Sequence, residues 1–290
     1  MKPIAANVFE TVAENKLFLI REINLPYFST EFHFHAECQL VYVVESEGKR
    51  IIGDNVEHFE SDELIFLGSN VPHVWHNDQQ YFDKEALKHA RSIALFINPD
   101  ELVEHVGALG NIKKIQAMLT RAQRGMKFYG KAKNELTSLL KKMCKQKELT
   151  AAINLLRVLE IICNTKEFDF LVTEGYVNNY QNRDNERMDA VFKYVFNHFK
   201  EEVSLTTIAG IAGMNKQAFC RYFKTRTQKS FTQFVNEVRI GQACKLLSDS
   251  QNTILQIAYG CGFNSITNFN GFFKSIKGIT PREFRKQIPV

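Results

Sequence analysis

Between residues 204 and 285 one short pattern occurs twice, and few folds can accommodate it. The first copy runs Ile208-Ala209, Gly213-Met214-Asn215 and Phe219-Cys220-Arg221-Tyr222-Phe223-Lys224. The second runs Ile257-Ala258, Gly262-Phe263-Asn264 and Phe269-Asn270-Gly271-Phe272-Phe273-Lys274. Phe219, Phe223 and Lys224 recur as Phe269, Phe273 and Lys274 at a fixed offset of 50 positions. A short apolar helix, a turn containing Gly and a second helix led by a capping residue make a helix-turn-helix. Such a unit fits its second helix to the major groove of DNA. Alanine, glycine and phenylalanine at helical spacing usually signify packing alone, but two copies at one offset, both ending Phe-Lys, point to a duplicated reading unit.

The side chains of the pattern divide by face. Ser204 is a good N-cap for a helix over 205–212, and Asn215 plays the same part for the next one. Phe219 and Phe223 are four residues apart and face the core together. Lys216, Gln217, Cys220 and Arg221 then lie toward the other side, where Arg can bridge O6 and N7 of guanine and Gln can do the same for adenine. No Asp or Glu occurs from 215 to 228. In the second copy Thr267, Asn268, Asn270 and Gly271 lie off the Phe269/Phe273 face. The expected DNA-contacting residues are Asn215, Lys216, Gln217, Cys220, Arg221, Lys224, Ser265, Thr267, Asn268, Asn270 and Lys274. A long helix over 231–247 joins the two units.

Charge follows the same division. Residues 185–290 hold 15 Lys and Arg against 7 Asp and Glu, a balance of +8, while the rest of the chain has a balance of −3. Phosphate neutralisation by Lys and Arg supplies much of the affinity of a protein for DNA. With 290 residues the chain can build two domains, each with its own core. No apolar run approaches the roughly 20 residues of a membrane span, and Met1 to Asn7 lack the apolar core of a signal peptide. A cytosolic location without membrane contact is expected. The six cysteines show no C-x-x-C pair, so buried free thiols are expected rather than zinc ligation or a disulfide framework.

Residues 16–98 read as short strands, at 17–20, 39–45, 50–52, 64–67 and 92–97, separated by Gly53-Asp54-Asn55 and Gly68-Ser69-Asn70. This spacing predicts an antiparallel sandwich or barrel. After Pro99-Asp100 the period becomes helical. Leu102, Val103 and Val106 begin a short helix, and Ile112, Ile115, Met118 and Leu119 continue until Gly125 stops the run. Stripes at Leu136, Leu139, Leu140 and Met143, and at 153–162, predict two more helices, which pack on the β domain or on a second subunit. Residues 173–186 are polar and rich in amides, which marks a linker. The expected division is 1–181 and 182–290, with an α+β multidomain fold. A further helix carries Met188, Val191, Phe192, Val195 and Phe196.

With these motifs in place, residues 188–286 resemble the AraC/XylS family of bacterial transcription regulators. The family signature runs from the first recognition helix through a joining helix with its Arg, here Arg239, to a closing Gly-x-x-Pro-x-x-(Phe/Tyr)-Arg, here Gly278-Ile279-Thr280-Pro281-Arg282-Glu283-Phe284-Arg285. Thr280 as N-cap with Pro281 in the first turn accounts for the close locally. Two positions depart from the family pattern: Gln228 replaces a Gly that ends the first unit, and Gly271 replaces an Arg of the second recognition helix. The resemblance implies promoter DNA, RNA polymerase and a small-molecule effector as partners, and activation as the commoner outcome; a homodimer is the alternative that the stripes at 136–143 and 153–162 leave open.

The N-terminal half resembles the cupins. His33-Phe34-His35-Ala36-Glu37 and Pro72-His73-Val74-Trp75-His76-Asn77 are similar to the two halves of their signature. In metal cupins two His and a Glu of the first half join a His of the second, a set suited to a divalent metal. Here Glu37 stands closer to His35 than that pattern places it, Gln39 holds its usual position, and Ser61-Asp62-Glu63 stands where Pro-Gly-Asp is usual. The expectation is a cupin-like barrel without metal or other cofactor, holding a sugar or related metabolite on His33, His35, Glu37, Tyr42, His73 and Trp75. No catalytic residues are assigned. The competing class is a cupin metalloenzyme with a helical appendage, which requires the intact ligand set.

Overall fold

The computed structural model describes residues 17–28, 32–82, 88–107, 112–146, 148–176, 185–227, 229–249 and 252–287. Contacts divide the chain into two compact units, Met1–Gly48 with Phe59–Asn178, and Lys49–His58 with Asn179–Val290. The expected boundary at residue 182 lies outside the described residues, as does Gln228.

Nine strands occur among the described residues: β1 (Phe18–Leu25), β2 (Cys38–Glu45), β3 (Gly48–Ile52), β4 (Asn55–Phe59), β5 (Leu64–Leu67), β6 (His73–Asn77), β7 (Ala90–Ile97), β8 (Met126–Phe128) and β9 (Phe168–Phe170). Six of them form one sheet in the order β1-β7-β2-β5-β8-β9, and β3 pairs with β4. The larger sheet is antiparallel throughout. Gly53-Asp54-Asn55, expected as a separator, is a tight hairpin turn from β3 to β4, with Gly53 at φ 56°. The five expected strands are present, and four more join them.

Successive residues of a strand point to opposite faces, and the register of β2 with β7 fixes what each face holds. Cys38, Leu40 and Tyr42 of β2 share one face with Ile93, Leu95 and Ile97 of β7, and all six belong to the main core. Against that face pack α2 (Ile112–Ala122), α3 (Gly130–Met143) and α4 (Glu148–Asn164). They follow α1 (Pro99–Glu101), which continues as a π-helical turn over Leu102–Val106. Leu136, Leu139, Leu140 and Met143 are all buried, as are Leu155, Val158, Leu159 and Ile162. Each such side chain taken from water contributes about 1.5–3 kcal/mol. The stripe over 136–143, offered above as one candidate for a partner surface, is therefore core. The stripe is real, but its period says only that one face is apolar and not what covers it.

The second unit contains α5 (Asn185–His198), α6 (Leu205–Ile211), α7 (Lys216–Thr227), α8 (Phe231–Asp249), α9 (Ile254–Gly260), α10 (Ile266–Lys277) and α11 (Pro281–Gln287). Phe223 meets Phe192, Phe231 and Phe234 with ring centroids 5.4–6.3 Å apart, and Phe219 meets Phe231 at 5.3 Å. In the second copy Phe269 packs against Phe263 at 5.3 Å and Phe273 against Phe284 at 5.5 Å. Ile240, Ala243 and Leu247 carry α8 into that second core. Arg239 donates from Nε to the Phe199 carbonyl at 2.8 Å and from Nη2 to the Glu201 carbonyl at 2.9 Å. These carbonyls lie in the loop leaving α5, where helical partners have run out, so Arg239 clamps α5 to α8. The caps are as expected: Ser204 Oγ accepts from Thr207 N at 3.1 Å, and Thr280 with Glu283 forms a reciprocal pair at the start of α11.

Both helix-turn-helix turns use a glycine at positive φ, Gly213 at 65° and Gly262 at 86°. Their surroundings differ. A Cβ on Gly213 would meet open space, whereas one on Gly262 would lie 2.7 Å from the carbonyl oxygens of both Phe199 and Lys200. Gly213→Ala should cost about 1–2 kcal/mol, the left-handed penalty alone. Gly262→Ala adds a clash with fixed backbone and should cost distinctly more. Equilibrium urea unfolding of the two variants checks the order, and equal losses would contradict this account of the second turn.

Candidate nucleic-acid interface and effector pocket

The two recognition helices, α7 and α10, present the expected residues unequally. Lys216, Gln217, Cys220, Arg221 and Lys224 of α7 are all exposed, opposite buried Phe219 and Phe223. Asn215 is the cap of α7, its Oδ1 accepting from Ala218 N at 2.8 Å. Arg226, not among the expected residues, is half-buried with its guanidinium 5.3 Å from the centre of the Tyr222 ring. The α7 face thus carries Lys216, Arg221 and Lys224 with no carboxylate from 215 to 227. On α10, Thr267, Asn268, Asn270 and Lys274 are exposed and Ser265 is the half-buried cap, accepting from Asn268 N at 3.4 Å. Gly271 is exposed with open space where a side chain would stand. Cations are therefore concentrated on α7, while each helix presents two bidentate groups, Gln217 and Arg221 on α7 and Asn268 and Asn270 on α10.

Thr227 Oγ1 closes the C-terminal end of α7, 2.8 Å from the Phe223 carbonyl and 3.3 Å from Lys229 N. The cysteines are free. Cys38 and Cys261 are buried as expected, and burial pushes each thiol up to about 12. Cys220 departs from that expectation: it is exposed, on the outer face of α7.

The face of β1, β2 and β7 turned away from the helices lines a cavity of about 380 Å³. Ile23, Val41, Val43 and Phe96 form its apolar walls, and His33, His35, Gln39, His73 and Trp75 gather among them. Backbone pairing brings the histidines together. His33 and His73 exchange both N–H···O bonds, at 3.1 and 2.8 Å, so their side chains fall on the same side. His35 and Trp75, two residues further along each segment, fall there as well. Ring centroids are 4.5 Å apart for His33 and His73, 5.1 Å for His35 and His73, and 5.5 Å for His73 and Trp75. Burial beside two other imidazoles holds the His73 pKa well below the ordinary histidine value.

Four of the six expected effector residues thus line the cavity, and two do not. Tyr42 is on the core face of β2, because it is an odd number of residues from Gln39, Val41 and Val43. Its hydroxyl donates to Asp62 Oδ1 at 3.1 Å. Glu37 turns to His35 instead, with Oε2 3.4 Å from Nδ1. The cupin four-ligand set therefore does not assemble: the carboxylate sits on the Nδ1 side of His35. What remains is a set of three imidazoles, each with one ring nitrogen within 4.8 Å of the others. Sequence reasoning had also passed over Phe28, Ser92 and Phe96, which line the cavity and share its strand parity or its rim.

Among the described residues no helix is long and apolar enough to cross a membrane. A helix-turn-helix domain family model matches residues 208–287. The chain is 27% identical over 119 residues to the uncharacterised HTH-type transcriptional regulator YdeC of Bacillus subtilis, covering 40% of this chain and 41% of that one. It is 22% identical over 253 residues to the HTH-type transcriptional activator RhaS of Mannheimia succiniciproducens, covering 87% and 88%. The chain thus spans about two fifths of the length of the first relative and most of the second. Among solved structures, the DNA-binding domain of AdpA in complex with a target DNA is 28% identical, covering 35% of this chain and 90% of that one with a TM-score of 0.33. The matched residues include both recognition helices, the joining helix with Arg239 and the close at Thr280-Pro281, so residues 208–287 form a helix-turn-helix domain of the kind that the AraC/XylS resemblance predicts.

Proposed function

We propose that this protein is a cytoplasmic transcription regulator, most simply an activator, that reads promoter DNA with its C-terminal unit and responds to a small effector held by its N-terminal unit. The observation that carries the DNA reading is the exposed, carboxylate-free face of α7, backed by the Phe219/Phe223 core. Because α7 joins Arg221 and two lysines to Gln217, whereas α10 offers Asn268 and Asn270 around a bare Gly271, the larger share of base and phosphate contacts falls to α7. RNA polymerase is the expected protein partner, as in a regulator that activates. No chemical step is assigned. The competing reading, a metal-dependent cupin enzyme, calls for the carboxylate that Glu37 does not bring to the imidazoles.

Dimerisation belongs to the same reading, on a narrower surface than the stripes of the sequence. Leu149, Ile153 and Leu156 of α4 are 75%, 48% and 42% exposed and recur at helical spacing on one face. That face is the candidate contact with a second copy.

Three measurements test the proposal. With DNA selected from a random-sequence pool, affinity should fall roughly a thousand-fold between low and moderate salt, as several phosphate contacts require; a flat salt response is incompatible with the proposal. Arg221→Ala should leave the fold intact and lose about 1–3 kcal/mol of discrimination at one base position. Lys224→Ala should weaken all sequences alike. An unchanged base preference in Arg221→Ala would remove α7 from base reading. Ile153→Glu should shift a dimer toward monomer in sedimentation without loss of thermal stability. Leu139→Glu, at a position 8% exposed, should unfold the N-terminal unit instead. A wild-type chain that sediments as monomer with and without DNA would exclude the dimer.

A further inference from the structure

The second unit holds a cavity of its own, of about 490 Å³, lined by α8, the loop leaving α5 and the turn between α9 and α10. Thr232, Asn236 and Arg239 recur at helical spacing and give it one wall. Asn236 is 5% exposed, and no hydrogen bond reaches its carboxamide from the described residues. Arg239 directs Nε and Nη2 to the carbonyls of Phe199 and Glu201. Its Nη1 has no partner among the described residues, and no carboxylate there pairs with the guanidinium. Burial moves the Arg239 pKa below the ordinary arginine value, as expected of a cation without a counter-charge. Water in the cavity can meet the hydrogen bonds of the carboxamide, but it brings no charge to the guanidinium. A cation with free donors beside a buried carboxamide suits a carboxylate, because charge-assisted bonds from guanidinium to carboxylate are the strong ones.

The rim of the cavity has the opposite sign. Glu201 and Glu202 line it and are both exposed. Glu201 Oε2 is 3.3 Å from His198 Nδ1, while Glu202 has no partner among the described residues. Lys200 is the other charge here, with its Nζ 5.9 Å from the centre of the Phe199 ring. Since Arg239 holds the Glu201 carbonyl, the two carboxylates begin about one side-chain length from the guanidinium. A plain anion such as phosphate meets repulsion from them. A molecule that carries a carboxylate and an ammonium on one carbon meets opposite charge at both ends.

We infer that this cavity binds a free α-amino acid, with its carboxylate on Arg239 and Asn236 and its ammonium on Glu202. Val203 and Val235 supply apolar wall for the side chain of the ligand. The site lies wholly within the second unit. It is distinct from the histidine-lined cavity of the first, and it does not depend on how either recognition helix reads DNA. An occupant touches α8, which joins the two reading units, so binding should also stabilise that unit.

The test titrates the full chain by calorimetry with each protein amino acid in turn and with inorganic phosphate. At least one amino acid should bind with a stoichiometry of one and raise the melting temperature. Its carboxyl amide, which lacks the anion, and its N-acetyl derivative, which lacks the cation, should each bind about ten-fold more weakly or worse. Glu202→Gln, at an exposed position, should weaken the parent amino acid by about ten-fold and leave the N-acetyl derivative unaffected. Asn236→Asp keeps the shape of the side chain and sets like charge beside the carboxylate, so binding should fall by about a hundred-fold or more. Should Asn236→Asp fail to fold, Glu202→Gln and the two derivatives still decide the matter. Failure of every amino acid to bind at millimolar concentration overturns the site. So does phosphate binding tighter than any amino acid, or an amide or acetylated form that binds as well as its parent. Unchanged binding in the folded variants places the ligand elsewhere and overturns it too. Loss of salt-dependent binding to selected DNA in the same preparations would remove the regulator reading and leave this site standing.

Discussion

The alternation of side chains across β2 and β7 is the constraint on which the N-terminal unit depends. One parity, Cys38, Leu40, Tyr42 with Ile93, Leu95, Ile97, makes the core against α2, α3 and α4. The other, Gln39, Val41, Val43 with Ser92 and Phe96, makes the cavity. A slip of one residue in this register would exchange the two sets and turn Gln39 and Ser92 toward the core. Core and pocket are therefore specified by the same hydrogen bonds, and the reciprocal backbone pairing of His33 with His73 extends that specification to the histidines.

In the second unit a comparable role falls to phenylalanine at i and i+4. Phe219 with Phe223, and Phe269 with Phe273, turn one side of each recognition helix inward and thereby decide which residues face out. Arg239 adds a polar clamp, since its two bonds to the carbonyls beyond α5 tie the first helix of the unit to the joining helix. Apolar burial supplies most of the favourable free energy in such a unit, and the clamp adds directional bonds between α8 and the loop leaving α5.

The DNA-binding half was almost fully legible in the sequence because its signals are local. Helical period, caps at Ser204 and Thr280, and glycines 213 and 262 in the turns all act within a few residues. The N-terminal half was legible in its long strands and opaque elsewhere. β8 and β9 have three residues each, too few for a period to show. β6 is buried along its whole length and reads as a motif rather than as a strand. Tyr42 was misassigned by proximity to the motif, where counting parity from Cys38 would have placed it in the core. Glu37 was grouped with the histidines because a carboxylate near two of them suggests a shared site, while chain geometry leaves it beside His35 Nδ1 and outside the cavity lining. The stripe over 136–143 illustrates the same limit, since amphipathicity identifies a buried face and leaves its cover to tertiary structure.

Gly271 bears on how the two halves of the duplication have diverged. An ancestral pair of equal helices would divide a recognition sequence evenly, whereas here one copy keeps Lys216, Gln217 and Arg221 and the other has a bare backbone at a central outward position. If the two helices read DNA as proposed, target sites would carry more of their information under α7 than under α10. Binding sites would then tolerate more change on that side, and the set of promoters under such a regulator could widen or narrow by changes that leave the protein untouched.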